Sequence, residues 1–296
     1  MNIVISLRSR LCVRVCLLAL LTAALMSCSG TPQPRLTGVA YEYDSAKDML
    51  KKGKYDKALE FSEAPAKALP PNAFTLRAQV FQVVVYGGLI RGYGELADGY
   101  RKGSDTTRNA GFKAAFERQR NDSMQYGSRL ALGLAELSHK LTEANSLEKE
   151  YTLDAPFPSQ EAPLSLPQLA RVMEGGWIDP EEQETLGKEA LLKGINDALA
   201  GMAGGDRSKA RTALASGPVK VDGADFGLYM GKELLYAASM FDKKRTRDST
   251  KLRLICGEAD EAAQIVAKML KENPNKDREK TLKKLQDDIK TALRVM

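Results

Sequence analysis

Histidine and tryptophan occur once each in 296 residues, and aromatic side chains make up only 6% of the chain. A lone imidazole, His139, excludes the structural zinc sites built from several His and Cys. It also leaves a single base for any Ser-His-Asp arrangement, and no Gly-x-Ser-x-Gly elbow accompanies it. Neither a Gly-x4-Gly-Lys-Ser/Thr loop nor a strand–Gly-x-Gly-x2-Gly–helix unit occurs, which removes the common phosphate and dinucleotide cradles. No metal and no cofactor is therefore expected, and the chain reads as a non-enzyme. One catalytic alternative survives, because two carboxylates distant in sequence, as in hydrolases of cell-wall glycan, leave no local signature.

Long apolar runs are also missing, apart from residues 15–26, which are short for a spanning helix of ~20 residues. Three arginines (Arg8, Arg10 and Arg14) precede that run and small residues follow it, the order expected of an export signal. The formal charge of +6 falls to +3 without this segment, too small an excess to suggest nucleic-acid binding. Cysteine is scarce in the same sense. Cys12 and Cys16 belong to the leading segment, and Cys256 stands alone among Leu252, Leu254 and Ile255, where a buried small hydrophobe is expected.

What is present begins at the end of that run. Leu25-Met26-Ser27-Cys28 resembles the lipobox of bacterial lipoproteins. The resemblance implies cleavage before Cys28, acylation of Cys28 (palmitate among the chains) and a membrane anchor, with residues 1–27 removed. An ordinary secretory signal with an incidental cysteine is the competing reading. Ser29 rather than Asp after that cysteine leans, by the same resemblance, toward an outer-membrane protein facing the periplasm. Residues 28–38 carry Pro32 and Pro34 and read as a flexible tether. Four prolines between 154 and 167 suggest a linker between helical lobes at 39–153 and 168–296, or a long loop within one body.

Both lobes read as helical, so the expected class is all-α. Leu130, Leu134, Leu137, Leu141, Ala144 and Tyr151 fall on one helical face, and Leu282, Leu285, Ile289 and Leu293 repeat at three and four. Asp179-Pro180-Glu181-Glu182 is a helix start, Asp206 can cap the next helix, and Gly217-Pro218 stops it. Alternating strand patterns are nearly absent, and the β-branched run 80–86 is expected to be a buried helix. Gly53, Tyr55 and Ala58 followed by Pro70, and Gly257 and Ala262 followed by Pro274, resemble the tetratricopeptide repeat. A weaker match joins Gly205, Ala210 and Leu214. The resemblance implies antiparallel helical hairpins, as a solenoid or an irregular bundle, with a concave docking surface. Tetratricopeptide-like lipoproteins include subunits of assembly machines and accessory components of solute transporters. The expected function is thus a scaffold that docks an envelope protein or peptide. A solute-binding accessory protein with a cleft between the lobes is the alternative.

Tyr86, Tyr93 and Tyr100 recur every seven residues, with Gly92 and Gly99 in step. Such a stripe is either a tight intramolecular crossing or a surface for a partner, ligand or second copy of the chain. Trp177 is the other candidate contact residue. The run Asp242-Lys243-Lys244-Arg245-Thr246-Arg247 is locally basic and could meet anionic head groups, or be a solvated turn.

Overall fold

The computed structural model describes residues 37–294. Cys28, the signal segment 1–27 and most of the tether 28–38 lie outside the described residues. Among these there are ten helices and one small ribbon of two strands. The protein is an all-α helical bundle.

Helices α1 (Val39–Lys51) and α2 (Tyr55–Ala66) form the first hairpin. Gly53 takes φ +71° in the turn between them, a left-handed conformation that suits glycine. Ala46 and Ala58, one on each helix, are fully buried. The two helices that follow, α3 (Thr75–Thr106) and α4 (Ala110–Thr142), are each nearly as long as a whole 34-residue tetratricopeptide repeat. The hairpin pattern therefore does not propagate, and the body is irregular. Asn109 starts α4 by accepting from the backbone N–H groups of Gly111 and Phe112.

Strand β1 (Glu150–Leu153) pairs antiparallel with β2 (Val219–Asp222), placing Tyr151 opposite Val221. Between them lie α5 (Pro167–Met173), α6 (Pro180–Met202) and α7 (Arg207–Ser216). Asp179 and Glu182 make the expected reciprocal cap on α6, and Asp206 accepts from the Lys209 N–H at the start of α7. Gly217 ends α7 at φ +140°. The chain closes with α8 (Gly223–Ala238), one 3-10 turn (Ser239–Phe241), α9 (Ser249–Glu272) and α10 (Lys276–Arg294).

Two expectations need correction, and a third left two readings open. The apolar stripe from Leu130 does not reach Tyr151, because α4 ends at Thr142 and Asn145 turns the chain at φ 53°. Tyr151 instead stacks on Phe226 from within the ribbon, with ring centroids 3.9 Å apart. Second, Gly257 is not at an inter-helix turn; it is an exposed position inside α9, although Ala262 is fully buried and Pro274 follows the helix end. Third, residues 154–167 do not separate two cores. The main apolar cluster runs from Tyr43 to Ile289, and the smaller one joins Leu96, Tyr100 and Phe116 to Leu169, Ile178 and Leu186. The prolines prevent a helix, but Ala155, Phe157 and Leu166 between them are buried and hold the segment down.

Helix α3 is the central strut. Tyr86 and Tyr93 meet α4, Gly103 meets Val172 of α5, and Gly88 and Gly92 meet α6. At that second crossing a Cβ on Gly92 would stand 2.8 Å from the Ala190 carbonyl oxygen, and one on Gly194 would strike the Gly88 carbonyl. The backbones touch because neither side carries a side chain there.

Candidate functional site

The tyrosine stripe runs along the seam between α3 and α4, with Tyr100 buried and Tyr86 and Tyr93 half-buried. The Tyr86 ring packs over Gly133, Tyr93 stacks on Tyr126 at 5.6 Å, and Tyr100 is buried against Phe116. The seven-residue period thus serves a crossing within the chain, the α3–α4 seam. Burial pushes the Tyr93 and Tyr100 hydroxyls up to about 12 and raises Tyr86 as well. Trp177 is partly exposed and stacks on Phe112 at 5.0 Å, and it reaches Tyr100 only through Phe116. Tyr86 is not part of that cluster.

The open surface features of α3 lie on its other faces and centre on Arg91. Three clefts, of about 740, 760 and 540 Å³, all have Arg91 in their walls. Arg91 is fixed by a two-pronged ion pair. Its Nε and Nη2 donate to the Glu233 carboxylate at 2.8 and 2.7 Å. Glu233 comes from α8, with its side chain 3% exposed, while Arg91 remains 36% exposed. Gly87, one turn before Arg91, leaves the space that the Glu233 carboxylate fills. The guanidinium lies 5.0 Å from the centre of the Tyr236 ring. Burial works against the charge on Arg91, but the hydrogen bonds and charge of Glu233 outweigh it and hold the group protonated.

The first cleft lies among the end of α6, β2, α8 and α10. Arg278 bridges Asp222 and Asp225 along its rim. Tyr229 lines its wall, but the hydroxyl points away from solvent and has no hydrogen-bond partner. Burial raises its pKa strongly. The second cleft lies between α8 and α10. Lys232, Lys280 and Lys284 line it without an acidic partner among the described residues, against Asp277 and Asp288. The third is bounded by α3, α5 and α6, where Lys193 pairs with Glu95 at 2.8 Å.

The basic run after α8 is only partly free. Arg245 turns inward and donates to Asp98 at 2.8 Å with its side chain 8% exposed, so three of the four bases remain exposed. Cys256 is fully buried, and desolvation pushes its thiol up to about 11. His139 is solvent-facing as its helical position suggests, yet it has company the sequence does not reveal. Its Nδ1 lies 3.4 Å from a Glu258 oxygen, with Glu261 alongside. Among the described residues these three side chains bring a histidine and two carboxylates close enough to share one ion.

Sequence reasoning missed Arg91, Glu233 and Tyr229. The only signal was a charge inside an apolar context: Arg91 follows Leu89 and Ile90, and Glu233 precedes Leu234 and Leu235. Compared with known proteins, the chain matches no family model, no curated protein and no solved structure.

Proposed function

We propose that this protein is a non-catalytic lipoprotein that docks a charged segment of an envelope protein in the clefts around Arg91. Cys28 is its anchor in a bacterial envelope membrane, by the lipobox resemblance, with the helical body facing the periplasm. The leaning toward the outer membrane rests on Ser29 alone. The observation that carries the docking reading is the convergence of three clefts on one fixed guanidinium. Their walls present both signs of charge, which suits a polypeptide with acidic and basic side chains better than a simple anion.

The test is cross-linking in intact cells, with a photoreactive residue placed at Lys232 or Lys280. A discrete envelope protein should be captured there, and a K232E/K280E/K284E variant should lose it without losing its cooperative thermal transition. Equal capture by the charge-reversed variant would remove these clefts from the docking surface. A second reading, binding of a small solute, rests on the ligand-sized volume of the first cleft and on the exposed Lys232 in its wall. A small carboxylic or amino acid that raises the melting temperature of the wild type, but not of K232E, would support that reading.

A further inference from the structure

His139 stands in the last turn of α4, and Glu258 and Glu261 stand three residues apart on α9. That spacing puts both carboxylates on one helix face, and α9 packs against α4 so that they meet the imidazole. One ligand atom from each of the three lies within 4.8 Å of the other two. Imidazole nitrogen and carboxylate oxygen bind zinc at ~2.0–2.2 Å, which in a tetrahedron places neighbouring ligand atoms ~3.4 Å apart. The His139 Nδ1–Glu258 Oε1 separation is 3.4 Å.

Two further features point to a cation. The Glu258 side chain is only 14% exposed, and its second oxygen, Oε2, is sealed from water with no hydrogen-bond donor. A buried carboxylate oxygen without a partner is costly, and a positive ion would remove that cost. The cluster also lies at the carboxyl end of α4, where unsatisfied carbonyls carry partial negative charge. His139 itself is 64% exposed, so an entry path from solvent exists.

We propose that His139, Glu258 and Glu261 form a three-ligand site for a divalent transition-metal ion of the Zn²⁺ class. The imidazole selects against Mg²⁺ and Ca²⁺, which take oxygen ligands. Water completes the coordination, and the ion clips the end of α4 to the middle of α9. The site is separate from the clefts around Arg91 and does not depend on the docking proposal.

The experiment is calorimetric titration of the full chain, carrying no polyhistidine tag, with ZnCl2, repeated with CoCl2 and followed by visible absorption. The wild type should bind one equivalent saturably, and Zn²⁺ should raise its melting temperature. Loss of a mere outer-shell partner weakens metal sites by about 10–100-fold, so H139Q and E261Q, which remove ligands, should each weaken binding at least as much. E272Q, farther along the same helix, should bind as the wild type does. Since His139 is exposed, H139Q should fold, and its metal-free melting curve verifies this. Absence of saturable binding in the wild type would overturn the proposal. So would H139Q binding with a loss smaller than about tenfold, which would reduce the cluster to an ordinary His–Glu charge pair.

Discussion

At the scale of single residues, the Arg91–Glu233 pair carries the largest expected effect. Removing one member of a buried ion pair costs about 3–5 kcal/mol, because the remaining charge is stranded. Arg91 is partly exposed, so water will relieve some of that cost. E233Q should therefore lose about 3 kcal/mol, or roughly 6–12 °C in melting temperature for a chain of this size. A shift under 2 °C in a thermal scan would show that the pair contributes little to stability. Cys256 makes an opposite, silent prediction. With its thiol held up to about 11 and out of solvent, its share of thiol-reagent labelling should be negligible in the folded protein at pH 8. That share should appear on denaturation and be missing in C256S; prompt labelling of the native chain would contradict the burial. The burial of Cys256 was legible, because apolar neighbours surround it in sequence. The pairing of Arg91 with Glu233 was not, because 142 residues separate them and each alone reads as an interruption of an apolar stretch.

At the scale of elements, the helix ends were the most legible features. Asp179, Glu182 and Asp206 act through backbone groups three residues away, and Gly217 through its own φ, so their chemistry is local and survives in the sequence. The ribbon of β1 and β2 was invisible for the converse reason. Four residues show too little alternation, and each strand exists only because the other does. The Tyr86–Tyr93–Tyr100 period was read correctly as a helix face, but periodicity does not say whether a face meets the same chain or another. The glycines on α3 and α6 decide it. G194A would push a methyl group into the Gly88 carbonyl, and neither backbone can yield without separating the helices. Overpacking of this kind costs about 1–3 kcal/mol, and a crossing with no side chain to move should sit at the upper end. Y93A, which removes the ring stacked on Tyr126, should cost a comparable amount. Urea titrations that find either variant as stable as the wild type would place the α3 crossings elsewhere.

At the scale of the whole molecule, eight tyrosines and the one described cysteine hold their protons above the usual range. Desolvation is the leading cause for each, and the sign follows directly. Between the ordinary tyrosine pKa near 10 and the folded value near 12, the unfolded chain binds fewer protons than the folded one, so stability falls as pH rises. The contribution is complete below pH 10 and lost on the way to 12. Melting temperature should drop steeply across that window, and tyrosinate absorbance near 295 nm should rise together with unfolding. A melting temperature level to pH 12 would contradict it. The lobes at 39–153 and 168–296 do not correspond to separate cores, and the reason lies in α3. Its glycine-bearing faces are covered by α6 and α8, which the ribosome makes much later. A polypeptide emerging from its N-terminus must hold α3 uncovered until those helices arrive, and glycine-rich helix does not persist in water unaided. The nascent first half cannot close its core by itself, so a chain truncated after residue 153 should remain without cooperative structure.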